Sequence, residues 1–167
     1  LLKLGFSQVR ETAEGAALVT QEYRRLVEEG TMENIITSTC PGVNALVEKY
    51  YPELIPYLAP IISPMLAHGK IIREVMGPDV KIVFIGPCVA KKMEAELVPR
   101  TIGVIDAVIE FNELEQWLEE EGIDLMECEE AAFANPDPQV NQLYAVNCGI
   151  IRSVKAAGGL GKYLDIS

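Results

Sequence analysis

The pattern of apolar and polar positions predicts helices that alternate with short apolar strands. Apolar residues recur at roughly helical spacing between Thr12 and Glu29, and Gly30 follows them, which predicts a first helix that ends there. Proline or glycine bounds further predicted helices, which cover 43–51, 64–76, 112–121 and 149–157. For the helix at 112–121, Asn112 is the expected N-cap, with Glu115 three residues later.

Four short segments are predicted to be strands. The clearest is 80–85, which is apolar apart from Lys81, as a central parallel strand usually is. The others are 6–10, 34–38 and 107–110. Strands that alternate with helices predict an α/β fold, here a three-layer α/β/α arrangement around a roughly four-stranded, mainly parallel sheet. In such sheets, binding sites form beyond the carboxyl ends of the strands.

Composition narrows the class of protein. The 167 residues predict a single domain over 1–167, and a hydrophobic content of 49% predicts a globular chain. A net charge of -11 without any basic run argues against nucleic acid as a partner. No apolar stretch approaches the roughly 20 residues of a membrane helix, so no membrane partner is expected. With no signal peptide visible, we expect a cytoplasmic location with reduced thiols.

The candidate chemistry centres on two of the four cysteines. No CxxC pair is present, which argues against a zinc ribbon or finger. Cys40 and Cys88 each follow a predicted strand and adjoin a proline. If those strands are neighbours, both thiols emerge from the same edge of the sheet, as half of a metal-cluster site. The alternative for each is a buried small hydrophobe, which free cysteine often is.

Two charged residues follow Cys88 closely. Lys91 and Glu94 lie three and six positions after it, so Cys88 and Lys91 share a face if a helix begins there. Lys91 could then donate to an anionic ligand, and Glu94 could move protons. The alternative for both residues, and for Lys92 between them, is a solvated helix start.

These motifs resemble those of the iron-only ([FeFe]) hydrogenases. The segments TSTCPGVNALVEKYYPEL (37–54) and GPCVAKKMEAE (86–96) are similar to that family's TSCCP and PCxxKKxE motifs. The resemblance extends from about Leu4 to Ala157 and identifies the chain as the N-terminal lobe of the catalytic, H-cluster-binding domain. Because the family's third motif is missing and the chain does not begin with Met, we expect a fragment of a longer polypeptide.

The resemblance implies roles for the residues around the two cysteines. Cys40 and Cys88 match two of the four ligands of the [4Fe–4S] part of the H-cluster. Lys91 matches a lysine that hydrogen-bonds a cyanide of the diiron site, and Pro87 matches a residue beside that site. Glu94 matches a glutamate of the proton path.

Two further positions match the family less directly. Ser63 falls at a serine that precedes proline in the family, and we expect it to contact the cofactor. Cys148 falls where the family has a glycine-rich turn near the diiron site, and it is also expected to be cofactor-binding; the alternative is a cysteine at a helix start that has only a packing role. Cys128 lies in an acidic segment and is expected to have no functional role.

Several positions depart from the family pattern. Thr39 replaces the cysteine that delivers protons to the diiron site, and a hydroxyl is a far weaker acid than a thiol. The surface-side relay glutamates fall near Tyr23 and Leu26, and a relay serine falls at Ala59. Gly86 replaces a methionine that packs on the diiron unit. The resemblance therefore predicts a slow or sensory member of the family.

The cofactors and partners follow from the same resemblance. A [4Fe–4S] cluster and a diiron H-cluster are expected in the full-length protein, and none in this chain alone, which should be inactive. The expected partners are the second lobe and ferredoxin-like domains of the same polypeptide, and a signalling domain in a sensory member. The alternative is a non-hydrogenase [4Fe–4S] protein similar to nuclear prelamin A recognition factor and its cluster-assembly relatives. Because ligation couples to folding, we expect the Cys40 and Cys88 loops to be mobile or collapsed without metal.

Overall fold

Six α-helices and two β-strands form the fold in the computed structural model, which describes residues 1–97, 102–135 and 139–158. The helices are α1 (Ala13–Glu29), α2 (Pro41–Tyr50), α3 (Pro64–Met76), α4 (Ala90–Leu97), α5 (Phe111–Glu120) and α6 (Gly149–Ala156). Short 3-10 turns lie at Leu2–Leu4, Pro52–Tyr57, Leu125–Glu127 and Gln139–Ala145. Within these ranges no helix is long and apolar enough to cross a membrane.

The strands β1 (Val83–Ile85) and β2 (Ala107–Ile109) pair in parallel, with Phe84 opposite Val108. The connection between them contains α4, so the unit is a βαβ crossover. The predicted α/β class is confirmed, but the sheet in the described part of the chain has two strands instead of about four.

The segment 34–38 was expected to be a strand and forms only one parallel bridge, between Ile36 and Leu58. Its ladder stops there because the backbone groups of Ser38 bond to the side chains of Tyr23 and Asn44 instead of to a strand. A residue whose N–H and C=O are taken by side chains has no backbone group left for a neighbouring strand.

The segment 6–10 was also expected to be a strand and forms none in the structure. The Phe6 ring packs edge-on against Trp117, with 5.9 Å between ring centroids. The carbonyl of Val9 accepts a hydrogen bond from the N–H of Ala134 at 2.9 Å. Contacts with α5 and with a late loop thus take the place of a strand partner.

The start of α5 also differs from the prediction. Glu110, not Asn112, is the N-cap, and it forms a capping box with Glu113, whose carboxylate accepts the Glu110 N–H at 2.8 Å. The physical reason is the length of β2, which ends at Ile109 and leaves one residue before the helix.

Helix α3 contributes to both hydrophobic clusters of the core. The first cluster lies between α1, α3 and α6 and contains Val19, Tyr23, Leu26, Ala59, Ala67 and Val154. The second lies between α3, the sheet and α4 and contains Met65, Leu66, Ile82, Ala95 and Ile105. Burial of one such large apolar side chain stabilises the folded state by about 1.5–3 kcal/mol. Because α3 contributes side chains to both clusters, it is held in place from two sides.

A glycine permits the close approach of α1 to α3. A Cβ at Gly15 would lie 2.6 Å from the Cβ of His68 and closer still to the carbonyl oxygen of Pro64. No real side chain tolerates such distances, so only glycine lets the two helix backbones pack at this point.

A polar link joins the same two helices. His68 Nε2 lies 2.9 Å from Glu14 Oε2, and the guanidinium of Arg10 pairs with the same carboxylate. Burial lowers the pKa of His68 below its ordinary value, although the Glu14 carboxylate opposes that shift. The imidazole is therefore neutral near pH 7 and donates its Nε2–H to Glu14.

Candidate functional site

Cys40 lies at the end of an extended segment and immediately before α2. Its backbone has φ -101° and ψ 109°, and Pro41 begins the helix, a position where proline loses no hydrogen bond. The cysteine is exposed. The structure thus rejects the alternative that Cys40 is a buried small hydrophobe.

Cys88 lies in the turn between β1 and α4. The N–H of Gly86 donates to the carbonyl of Ile109 at 3.0 Å, which keeps the start of this turn against β2. The N–H of Lys91 donates to the carbonyl of Cys88 at 3.0 Å and closes the first turn of α4. Pro87 is exposed and Cys88 is half-buried. Because β1 ends at Ile85, Cys88 lies just beyond the carboxyl end of that strand, as predicted.

The side chain of Lys91 joins the two cysteine loops. Its Nζ donates to the carbonyl oxygen of Thr39 at 3.2 Å and to Glu94 Oε2 at 2.7 Å. The side chains of Lys91 and Glu94 are only 12% and 7% exposed. The alternative that these two residues form a solvated helix start is therefore wrong.

Ser63 completes this polar group from the start of α3. Its Oγ donates to Glu94 Oε2 at 3.0 Å and accepts the N–H of Leu66 at 3.4 Å as the N-cap of the helix. Ser63 is 1% exposed. One serine hydroxyl thus connects the beginning of α3 to the carboxylate that pairs with Lys91.

The first turns of α2 and α4 approach each other at Gly42. A Cβ placed on Gly42 would lie 3.8 Å from Cys40 Sγ and 3.9 Å from the Cβ of Ala90. The structure therefore brings together the two motifs that the sequence singled out, with Thr39, Lys91, Glu94 and Ser63 in one hydrogen-bonded group.

The chemistry of the donor set decides whether these residues fit an iron–sulfur cluster. Cys40 and Cys88 offer two thiols at neighbouring loops, and thiolates are the usual ligands of such clusters. In the part of the chain that the structure describes, no three His, Cys, Asp or Glu side chains are grouped so as to bind a metal ion. The residues thus fit half of a four-cysteine ligand set.

Cys148 lies at a different place in the fold. It is the exposed N-cap of α6, with a left-handed backbone at φ 57°. Helix α6 packs against α1 and the 3-10 turn Gln139–Ala145, and the hydrogen bonds around Lys91 do not involve it. The cofactor-binding role expected for Cys148 stays a prediction.

Four of the five positions that depart from the family pattern are buried, whereas Thr39 is half-buried. Tyr23, Leu26 and Ala59, at the expected relay positions, are 3%, 6% and 4% exposed. A Cβ at Gly86 would lie 2.9 Å from the ring of Phe84, so a methionine there would require that ring to move.

Sequence patterns did not indicate the hydrogen-bonding roles of three residues that shape the Cys40 loop. The N–H of Ser38 donates to Tyr23 OH at 2.9 Å, and Asn44 Nδ2 donates to the carbonyl of Ser38 at 2.8 Å. Tyr23 lies on the predicted apolar face of α1, and nothing in that periodicity indicates that its hydroxyl has a polar partner.

The chain is similar in sequence to known iron–sulfur proteins, as the two neighbouring cysteine loops suggest. The family model for the iron only hydrogenase large subunit, C-terminal domain, matches residues 1–162. The periplasmic [Fe] hydrogenase large subunit of Nitratidesulfovibrio vulgaris is 36% identical over 141 residues, covering 74% of this chain and 33% of that protein. The cytosolic Fe-S cluster assembly factor NAR1 of Yarrowia lipolytica is 30% identical over 99 residues, covering 55% of this chain and 20% of that protein.

Solved structures show the same relationship. An apo [FeFe]-hydrogenase HydA1 variant from Chlamydomonas reinhardtii superposes with a TM-score of 0.72 at 31% identity, covering 80% of this chain and 38% of that one. The chain spans about a third of the length of the hydrogenases it matches. The match over nearly its whole length shows that the chain belongs to the family of the iron-only hydrogenase large subunit, C-terminal domain.

Proposed function

We propose that the chain is the H-cluster-binding lobe of an iron-only hydrogenase-like protein, in which Cys40 and Cys88 are two of the four ligands of a [4Fe–4S] cluster. The observation that carries this proposal is the hydrogen bond from Lys91 to Thr39, which joins the two cysteine loops. When bound, the H-cluster supplies the redox chemistry that interconverts protons, electrons and hydrogen. The residues of this chain bind and orient it.

Lys91 is suited to orient an anionic group between the loops. An ammonium has three N–H donors, of which two go to the Thr39 carbonyl and to Glu94. Among the described residues the third N–H has no protein partner, so it can donate to a ligand, and a charged donor bonds an anion more strongly than a neutral donor does. Glu94 and Ser63 fix the direction of the side chain.

The residues at the expected proton-transfer positions support a slow or sensory protein. A hydroxyl at position 39 is a poor proton donor near neutral pH. Tyr23, Leu26 and Ala59 occupy the expected relay positions, and none of them carries a group that releases protons in that range. We expect hydrogen sensing, with a signalling domain as partner, or slow turnover of two protons and two electrons to hydrogen.

The remaining ligands are expected from a second lobe, and electrons from ferredoxin-like domains, of the same polypeptide. A cytoplasmic location and an anaerobic host complete the proposal. The names of the relatives point in both directions on location, since one is a periplasmic hydrogenase and another a cytosolic assembly factor.

A second candidate function is that of a cluster-assembly protein with [4Fe–4S] clusters alone. The similarity to the assembly factor NAR1 of Yarrowia lipolytica favours it. Production of the full-length protein together with the hydrogenase maturation machinery separates the candidates. A diiron signature in the infrared spectrum supports the hydrogenase-like protein, whereas cubane clusters alone support the assembly protein.

Anaerobic reconstitution with iron and sulfide tests the proposed ligands. Iron analysis and EPR of the full-length protein should show loss of one cluster in Cys40→Ser and in Cys88→Ser, and no loss in the control Cys128→Ser. Cys128 suits this control because its Sγ contacts the carbonyl of Asp124, away from the motifs. The chain alone should bind no stoichiometric cluster, and a full cubane signal from it would contradict the proposal.

A further inference from the structure

We propose that Ser38 is a positioning residue that fixes the Cys40 loop in its ligand-binding conformation before any metal binds. Its partners are Tyr23, Asn44 and Ile61, and we call these four residues the Ser38 brace. This inference rests on the proposed function, since it assumes that Cys40 is a ligand.

Each polar group of Ser38 bonds to a different part of the fold. Its N–H donates to Tyr23 OH of α1 at 2.9 Å, and its Oγ donates to the carbonyl of Ile61 at 2.8 Å. Its carbonyl accepts from Asn44 Nδ2 of α2 at 2.8 Å. A residue bonded in three directions has little freedom to move, and Cys40 follows it by two positions.

The neighbouring residues of the loop are bonded as well. The N–H of Ile36 donates to the carbonyl of Tyr57 at 2.7 Å, and its carbonyl accepts from the N–H of Ala59 at 2.9 Å. The carbonyl of Thr39 accepts from Lys91. Backbone groups of Ile36, Ser38 and Thr39 are therefore all held by groups of the protein itself. This argues against the expectation that the Cys40 loop is mobile without metal.

The brace lies in the interior, where a lost hydrogen bond is costly. Tyr23 and Ser38 are 3% and 6% exposed, so removing the phenol oxygen would leave the Ser38 N–H buried and unpaired. Burial also raises the pKa of Tyr23, so its hydroxyl stays protonated at all ordinary pH values. The Ser38 carbonyl can only accept, so Asn44 contacts it through Nδ2, while Asn44 Oδ1 has no hydrogen-bond partner among the described residues.

Hydrogen exchange of the metal-free, full-length protein tests the brace. In Tyr23→Phe, amide exchange in residues 36–40 should rise about tenfold or more over wild type, because a buried donor loses its acceptor. The matched control is Tyr144→Phe. Tyr144 packs on the same cluster, and its hydroxyl accepts a hydrogen bond from Thr20 of α1 at 3.0 Å instead of from a loop backbone group. That variant should leave exchange in 36–40 unchanged.

A second variant keeps the test decisive if Tyr23→Phe is poorly folded. Asn44→Asp exchanges the donor facing the Ser38 carbonyl for an acceptor at constant volume, and it should raise the same exchange. Unchanged exchange in both variants, or an equal rise in Tyr144→Phe, would overturn the proposal. The exchange measurement is made on metal-free protein and so does not depend on iron binding. If exchange changes as expected but the reconstituted protein binds no iron, the proposed function is refuted and the Ser38 brace stands.

Discussion

The ammonium group of Lys91 donates a hydrogen bond to the carbonyl oxygen of Thr39 over 3.2 Å, and so joins the loop that carries Cys40 to the helix that follows Cys88. The same ammonium pairs with the carboxylate of Glu94 at 2.7 Å. Two motifs separated by more than forty positions thus meet through one side chain that is almost entirely out of solvent.

Lys91→Met should destabilise the chain strongly. It removes the cation from the nearly buried Glu94 carboxylate, and breaking a buried ion pair typically costs about 3–5 kcal/mol. Urea denaturation at pH 7 measures the loss. The control Lys92→Met breaks more exposed pairs with Glu110 and Glu113, which solvent screens, and should cost much less. Equal losses in the two variants would contradict the importance of the Lys91–Glu94 pair.

Gly15→Ala should lower stability by about 2–3 kcal/mol, because the new methyl group would push α3 away from α1. Thermal and urea unfolding measure this effect. Gly42→Ala is the matched control, since its nearest neighbours would lie 3.8 Å away and alanine favours a helix. A Gly15→Ala protein as stable as Gly42→Ala would show that the two helices separate easily.

Stability should fall as the pH drops below about 6.5, the ordinary pKa of histidine. Burial lowers the pKa of His68, so in this range the unfolded chain binds a proton that the folded chain does not. Protonation therefore favours unfolding. In His68→Gln, which can still donate to Glu14, the free energy of unfolding between pH 7 and 5 should vary less with pH. Parallel profiles for the two proteins would exclude His68 as the source.

Thr39→Cys should increase hydrogen turnover by the full-length protein with its cluster bound. A well-placed general acid contributes about 10²–10⁴-fold, and a thiol releases protons far more readily than a hydroxyl. Thr39→Ser is the control and should stay at the wild-type rate. Hydrogen evolution with a chemical reductant measures the change, with iron content matched between samples. No gain in Thr39→Cys would show that another step limits turnover.

The helices could be predicted closely because local signals determine them. Proline and glycine bound 64–76, and α3 has those same limits in the structure. Strands depend on distant partners, and two of the four predicted strands, 6–10 and 34–38, did not form, whereas 80–85 and 107–110 contain β1 and β2. The segment 34–38 has a strand-like composition, yet its polar groups bond to side chains of α1 and α2.

The site was predictable only in part for the same reason. The residues near each cysteine follow from sequence position, and the structure places Lys91 and Glu94 together as a helix start predicts. The hydroxyl of Tyr23 reaches Ser38 only because α1 packs beside the loop, which is a tertiary contact. Periodicity assigns such a tyrosine to the core and does not reveal a polar partner.

The contact between Lys91 and position 39 is made to the main chain, not to the threonine side chain. Any amino acid with an ordinary backbone at this position offers the same acceptor. The conformation of the loop therefore does not depend on the acidity of the side chain at position 39. Under the proposed function, a substitution at position 39 would therefore add or remove a proton donor while the contact between Lys91 and the loop is kept.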